Sequence, residues 1–353
     1  MVDWTLARQV ARFAANAGSA PPVAPGLGEH LVRLVDDAGR HVGAYTGLEL
    51  SGPIPRPEAV DRARWAETNL GTLASYLDPV ANRLGERAEA AGPLAGALRA
   101  VGGVALAAEA GLVLGYMAQR VLGQYEMSLL QPQAPPRLLF VAPNLERAVA
   151  ELAVDREEFL AWIALHEVTH VFQFSGVPWL REHLAALLRR YLDTVEVRLD
   201  QAGAGGLPSL ADVQQLVERF REGGLVALVQ SGEQRDLLAQ VQAAMSVIEG
   251  YSEHVMDAVG ADVLRDYASL RAAMERRRRS RSAPERLLWR LLGLDIKLRQ
   301  YEVGRRFCDA VVAAGGLALL NRVWEAPELL PSLDELSRPE RWRERVAAIP
   351  AVA

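Results

Sequence analysis

Cysteine is almost absent from this chain, since Cys308 is the only one in 353 residues. A single thiol cannot form an intrachain disulfide, and it excludes the multi-cysteine sites that hold structural zinc. A metal ion in this protein must therefore be held by histidine, glutamate or aspartate. Because the chain has only six histidines, two of them at a metal-binding spacing are informative.

Lysine is equally scarce, and positive charge is not in excess. Lys297 is the only lysine among 39 basic residues, and 44 acidic residues bring the net charge to −5. This balance argues against nucleic acid or a membrane surface as a general partner. The run 276–281 holds five arginines and a serine. We interpret it as a solvated cluster at a helix end rather than as a phosphate-binding site.

Long apolar runs are missing as well. The most apolar stretch, 101–117, contains Glu109 and falls short of the roughly 20 residues that span a bilayer. We interpret it as a buried core helix. The N-terminus has no basic segment followed by an apolar run, so no signal peptide is predicted. We expect a cytoplasmic protein.

Helical periodicity dominates the chain, and glycines and prolines interrupt it. It predicts helices at 4–15, 30–45, 57–77, 80–91, 93–130, 155–175, 180–192, 210–221, 234–259, 263–276, 284–292, 295–313 and 316–324, and a further helix that begins after Asn144. A hairpin is the alternative at 30–45. The clearest strand is 137–142, which follows the proline-rich segment 131–136. We therefore expect a mainly α protein with a small β element. It would divide into an N-terminal helical region (1–130) and a catalytic region (137–353), or form one continuous domain.

Residues 166–170 read His-Glu-Val-Thr-His, an HExxH motif. On a helix, His166 and His170 lie one above the other, about 6 Å apart along the axis, and can share one metal ion. Glu167 lies beside them, where it can act on a water molecule at the metal. Asp155 can cap this helix at its start, and Gly176 follows its end.

Two histidines leave a catalytic zinc site incomplete, because such a site uses three protein ligands and one open position. The metzincin pattern would place its third histidine six residues after His170. That position is Gly176, so the metzincin class is excluded. His183 lies beyond the turn at 176–178, and we interpret it as a surface or half-buried helical histidine.

Glu249 is the better candidate for the third ligand. In gluzincins this ligand is a helical glutamate, and a second acid four residues later orients a ligand histidine. Glu249 and Glu253 have that spacing and share one helix face. Gly250 is expected to let their helix approach the HExxH helix closely. The sequence thus predicts a gluzincin-type zinc site between two helices, with His254 and Asp257 as alternative ligands.

Such a zinc ion would activate water, and Glu167 would take the proton and deliver it to the leaving amine. The developing oxyanion needs a cation or a phenol. Tyr251 faces away from a metal held by Glu249, so Tyr301 is the better candidate. Lys297, Tyr301 and Arg305 form a stripe at four-residue spacing that could bind substrate, although a polar solvent face is the alternative. His254 is a further candidate for this role.

Substrate binding is less clearly marked. The strand at 138–142 ends 23 residues before His166. An exposed edge there could pair with an extended peptide, and a purely structural strand is the alternative.

Several blocks of the chain resemble a group of bacterial zincin-like metalloproteases whose physiological role is unknown. The resemblance is carried by the HEVTH block at 162–170 and by 173–174, 176–180, 248–251, 255–257 and 297–304, with a further match at 123–126 before 138–143. It spans most of the chain. It implies a largely helical zincin-like fold, zinc at His166 and His170, and Glu167 as the base. Some members of the group are labelled as associated with deazaflavin coenzyme biosynthesis.

Three functions remain open on this basis. The first is a zinc-dependent hydrolase, best interpreted as a peptidase. The second is a binding or scaffold protein on a zincin fold. The third is a hydrolase of a small non-peptide amide or ester.

Overall fold

The computed structural model describes residues 2–18, 21, 23–90, 93–204, 232–279 and 295–349. Within these ranges, the side chains of 79–90, 93–102, 195–204, 278–279 and 295–301 are outside the description. The helices predicted at 210–221 and 284–292 lie outside the described residues, and so do the last two residues of the arginine run, Ser280 and Arg281.

The described chain is mostly helical with one small sheet, which confirms the predicted fold class. Its first part contains α1 (Trp4–Ala15), α2 (Leu27–Thr46), β1 (Pro57–Val60), α3 (Arg62–Ala90), α4 (Pro93–Ala118), β2 (Gly123–Glu126), β3 (Arg137–Val141), α5 (Ala142–Leu152), α6 (Arg156–Gly176) and α7 (Pro178–Ala204). Its second part contains α8 (Gly232–Val263), α9 (Tyr267–Arg279), α10 (Asp295–Asn321), two 3-10 turns (Arg322–Trp324 and Pro327–Leu329), α11 (Leu333–Ser337) and α12 (Pro339–Ala347).

Two short strands were wrongly predicted as helix. Residues 57–60 form β1 and residues 123–126 form β2, each of four residues. Four residues are too few to show a two-residue period, and both strands are stabilised by pairing with β3, which lies far from β1 in the sequence. The predicted strand at 137–142 is confirmed as β3.

The sheet has the strand order β1-β3-β2, with β1 parallel and β2 antiparallel to β3. Because β3 is the central strand, both of its edges are already paired. The expectation that it offers an exposed edge to a peptide is therefore wrong, and the structural alternative holds. β2 lies at the edge of the sheet formed by the described residues.

The chain forms two compact units: Met1–Arg40 with Pro53–Val168, and His41–Gly52 with Thr169–Ala353. Helices α2 and α6 belong partly to each unit. The predicted division of the chain into an N-terminal region (1–130) and a catalytic region (137–353) stays a prediction.

The first unit has a core in which helices α1 and α4 approach closely. A β-carbon at Gly115 of α4 would lie 2.7 Å from the Ala11 carbonyl oxygen, so the contact requires glycine. Small side chains on α1 permit the same approach. The surrounding buried residues include Ala7, Ala15, Trp65, Ala66, Leu70, Leu139 and Val141.

The second unit is organised by the crossing of α8 and α10. Gly250 of α8 lies directly on the backbone of Gly304, and a β-carbon at Gly304 would overlap the Ser246 carbonyl. Gly250 thus permits the approach of α10, and the expectation that it faces the HExxH helix is wrong. Since α8 carries Glu249, this crossing fixes the backbone from which that carboxylate projects.

Among the described residues, one segment has a length and composition that would suit a membrane-crossing helix: Glu302–Trp324, which begins in α10 and ends with the first 3-10 turn. Of an 18-residue apolar stretch within this segment, 33% is buried. Phe307, Cys308 and Val311 are fully buried. Core helices of globular proteins can have the same length and apolar composition. The expectation of a cytoplasmic protein stays a prediction.

Candidate metal centre

Helix α6 carries the HExxH motif and begins at a side-chain cap. The Asp155 carboxylate accepts a hydrogen bond from the Glu158 N–H at 3.0 Å, as the sequence predicted. Most apolar residues of the helix are buried, so packing sets its rotation about its axis. His166 and His170 lie one turn apart on it, and both are half-buried.

His166, His170 and Glu249 form a group that could hold a metal ion, the one such group in the described part of the chain. Their ligand atoms all lie within 4.8 Å of one another. His170 Nε2 is 3.8 Å from Glu249 Oε2. That separation is too long for a hydrogen bond, but two zinc bonds of about 2.0–2.2 Å each can bridge it.

The environment of Glu249 favours a cation at this position. Its side chain is buried, and Oε2 has no hydrogen-bond partner among the described residues. Burying a carboxylate oxygen without a hydrogen bond destabilises the folded protein unless a positive charge lies nearby. Two imidazoles and one carboxylate are also the donor set of one class of catalytic zinc site. The residues present therefore fit a zinc ion.

Glu167, between the two histidines in sequence, packs against strand β2. Its Oε2 accepts a hydrogen bond from the Tyr125 N–H at 3.0 Å. A β-carbon at position 123 would lie 2.7 Å from Glu167 Oε1, so the carboxylate fits because Gly123 has no side chain. The sequence interpretation missed both contacts, since it read 123–126 as helix. The isolated glycine before Gln124 was the available signal.

Gln173 is a polar residue of the site that the sequence interpretation did not assign. It lies one turn after His170 on α6 and is fully buried. Its Oε1 lies 2.8 Å from His170 Nδ1, and its Nε2 donates to the Ile248 carbonyl at 2.7 Å. A glutamine three residues after a ligand histidine lies on the same helix face, and this was the signal in the sequence.

Comparison with known proteins identifies the family. A family model described as "Zincin-like metallopeptidase" matches residues 2–342 of the chain. The chain belongs to the zincin-like metallopeptidase family.

A solved structure from Chloroflexus aurantiacus resembles this zincin-like protein along its whole length. That protein is described as "a putative hydrolase with a novel fold". The two are 32% identical with a TM-score of 0.75, and the match covers 99% of this chain and 100% of the other. No curated protein matches the chain significantly. The family resemblance is thus confirmed, and the association with deazaflavin coenzyme biosynthesis stays a prediction.

Glu253, predicted to orient a ligand histidine of the zincin-like site, is almost fully buried on α8. It forms an ion pair with Arg271 of α9, which also lies 3.4 Å from Asp257. Burial lowers the pKa of Arg271, but the charges of Glu253 and Asp257 outweigh it and raise the pKa overall. The histidine-orienting role of Glu253 stays a prediction.

His254 and Arg305, predicted to contact substrate, belong to one polar network of the second unit. His254 Nε2 lies 2.9 Å from the Tyr45 hydroxyl, and Nδ1 lies 2.8 Å from Asp309. Arg305 lies 3.1 Å from Asp257 and 3.5 Å from Asp309. His254 is five residues after Glu249, about 140° around the helix, and neither it nor Asp257 joins the metal-binding group. Contact of His254 and Arg305 with substrate stays a prediction.

The tyrosine and lysine candidates have different outcomes. Tyr251 is fully buried and donates to Asn321 Oδ1 at 2.9 Å. Burial raises the pKa of its phenol, so Tyr251 is a structural, protonated group. The side chains of Lys297 and Tyr301 lie outside the described residues, and their roles stay predictions.

His183 is half-buried on α7, as expected. Its ring packs edge-on against Trp179 at 5.8 Å between centroids. Burial lowers the pKa of His183, although Glu328 acts in the opposite direction. The metal-binding group does not include it.

Proposed function

We propose that this protein is a zinc-dependent hydrolase that cleaves peptide bonds. The observation that carries the proposal is the buried Oε2 of Glu249, which has no hydrogen-bond partner among the described residues and lies 3.8 Å from His170 Nε2. His166, His170 and Glu249 would hold the ion. When bound there, zinc would supply Lewis-acid chemistry, which activates water and polarises the substrate carbonyl.

Glu167 is the residue proposed to move the proton. It follows His166 directly on α6, and the Tyr125 N–H holds its carboxylate in one orientation. From there it accepts a proton from the attacking water and passes it to the nitrogen of the leaving amine. The protein contributes a fixed base whose position does not depend on the substrate.

The edge strand β2 is the proposed docking element for an extended peptide. The Val141 N–H donates to the Leu122 carbonyl at 2.9 Å. Given the antiparallel register, the alternation of bonded and non-bonded pairs turns the backbone groups of Gly123 and Tyr125 toward the outer edge. The Tyr125 N–H is bonded to Glu167, so a peptide would pair with the N–H and carbonyl of Gly123. Glu167 is held at that edge. A peptide added as a strand beside β2 would place a carbonyl next to Glu167.

Metal analysis and a peptide library test the proposal together. The protein is purified without added zinc, its metal content is measured by mass spectrometry, and cleavage of a mixed peptide library is followed by mass spectrometry. We expect about one zinc per chain. Glu167→Gln should keep the metal and lower turnover by about 10²–10⁴-fold, the contribution of a general base.

Three outcomes would contradict the proposal. A protein that neither contains nor takes up zinc has no such site. Cleavage that is unchanged in Glu167→Gln belongs to a contaminating protease. Turnover of small amides or esters without any peptide cleavage would favour a small-metabolite hydrolase instead.

A further inference from the structure

We infer that Gln173 is a positioning residue that sets the tautomer of His170 and ties this ligand to the helix of the third ligand. The inference rests on the proposed zinc site and extends it. Gln173 is 0% exposed and touches both ligand-bearing helices: the His170 ring on its own helix α6, and the Ile248 carbonyl on α8.

The two hydrogen bonds of Gln173 determine the orientation of its amide. The Ile248 carbonyl oxygen can only accept, so the group 2.7 Å from it must be the NH₂ of Gln173. The group facing His170 Nδ1 at 2.8 Å is then the amide oxygen, which can only accept. His170 must therefore carry its proton on Nδ1.

A proton on Nδ1 leaves the lone pair on Nε2 of the neutral ring. Nε2 is the atom that faces Glu249 Oε2 at 3.8 Å. Gln173 thus presents His170 in the form that binds a metal, before any metal arrives. Ligand histidines commonly donate their second N–H to a group that orients the ring, and here an amide has that role.

The same side chain fixes the spacing of the ligands. Ile248 immediately precedes Glu249 on α8, so the bond to its carbonyl sets where the Glu249 backbone lies relative to His170. Tautomer control and helix spacing are separable functions. The first needs only an acceptor at position 173, whereas the second needs a donor.

Two variants separate these functions. Gln173→Met keeps the length of the side chain and removes both hydrogen bonds. Gln173→Glu keeps the acceptor toward His170 and loses the donor toward Ile248. Asn321→Leu is the matched control, because Asn321 likewise accepts from a side chain (Tyr251, 2.9 Å) and donates to a backbone carbonyl (Thr46, 2.8 Å) in the same unit.

Zinc affinity, measured by competition with a chelator, is the first readout. We expect Gln173→Met to weaken zinc binding by about 10–100-fold, as other losses of groups that orient metal ligands do. Gln173→Glu keeps the acceptor but loses the bond that sets the ligand spacing, so it should bind zinc less tightly than the parent and more tightly than Gln173→Met, and it should unfold more easily than the parent. Asn321→Leu should lose stability and keep its zinc affinity. An unchanged zinc affinity in Gln173→Met, or an equal loss of zinc affinity in both Gln173 variants, would overturn the inference that Gln173 sets the tautomer of His170.

The second readout needs no metal. The ¹⁵N shifts of the histidine rings in metal-free protein, at a pH where the rings are neutral, report which nitrogen carries the proton. We expect the Nδ1–H form for His170 in the parent and its loss in Gln173→Met. An Nε2–H parent ring would overturn the inference even if zinc binds. An Nδ1–H ring in a protein that takes up no zinc would support the inference and count against the proposed function.

Discussion

Gly123 lies directly against Glu167, so that a β-carbon at position 123 would be 2.7 Å from the Oε1 of that carboxylate. The proposed base is thus positioned by the backbone of an edge strand. Gly123 has no side chain, and Glu167 is the only acid within the HExxH motif.

Gly123→Ala should therefore move Glu167 without touching a metal ligand. A displacement of about 1 Å at a reacting group can lower the rate by about 100-fold. We expect kcat/KM for a cleaved peptide to fall to about that extent while the zinc content stays at the parent level. Gly71→Ala in α3 is the control, because a β-carbon there would have none of the described atoms within 4 Å. Full activity in Gly123→Ala would show that Glu167 is not held by this contact.

Glu249→Gln should have opposite effects in the presence and absence of metal. In metal-free protein at about pH 8, where histidines are neutral, the substitution removes a buried carboxylate whose Oε2 accepts no hydrogen bond from the described residues. We expect this variant to resist urea better than the metal-free parent.

With zinc bound, the parent should become more stable to urea than Glu249→Gln. A ligand at about 100 times its Kd stabilises the folded state by about 2.7 kcal/mol. We expect that gain in the parent and little of it in Glu249→Gln. If zinc stabilises both proteins equally, Glu249 is not a ligand.

Gly304→Ala should separate α8 from α10, because the new β-carbon would overlap the Ser246 carbonyl. Overpacking of this kind costs about 1–3 kcal/mol. Since α8 carries Glu249, zinc affinity should fall as well as the free energy of unfolding. Gly232→Ala at the start of α8 serves as the control, because no atom of the described residues lies within 4 Å of a β-carbon there. A variant with parent stability would mean that the helices do not cross as closely as described.

The stability of the fold should depend on His183 at mildly acidic pH. Burial lowers the pKa of His183 from its ordinary value of 6.5, so the unfolded chain binds the proton more tightly than the folded one. This contribution to stability is present above about pH 6.5 and is lost as pH falls toward the folded pKa. Urea unfolding at about pH 7.5 and 5.5 should show a smaller loss in His183→Gln than in the parent. An equal loss in both proteins would contradict this assignment.

The sequence predicted the parts of the site that lie on one helix. The spacing of His166, Glu167 and His170 on α6 follows from helix geometry, and the Asp155 cap follows from local hydrogen bonding. Glu249 was predicted from the pattern of a helical acid, and the structure places it with the two histidines.

Contacts between residues that are far apart in the sequence could not be predicted from the sequence alone. Strand β2 is four residues long and exists because β3 pairs with it. For that reason neither Gly123 nor Tyr125 could be assigned to Glu167. The bond from Gln173 to Ile248 joins residues 75 positions apart, and Gly250 meets α10 rather than α6. Such contacts depend on how helices pack, which residue spacing alone does not specify.

X-ray absorption at the zinc K-edge of the zinc-loaded protein tests the central claim most directly. Two histidines and one carboxylate predict only nitrogen and oxygen neighbours at about 2.0–2.2 Å, with two imidazoles, and no sulfur at about 2.3 Å. Glu249→Gln should lose the carboxylate or the metal itself. A spectrum with one imidazole or none, or one that is unchanged in Glu249→Gln, would contradict the proposed centre.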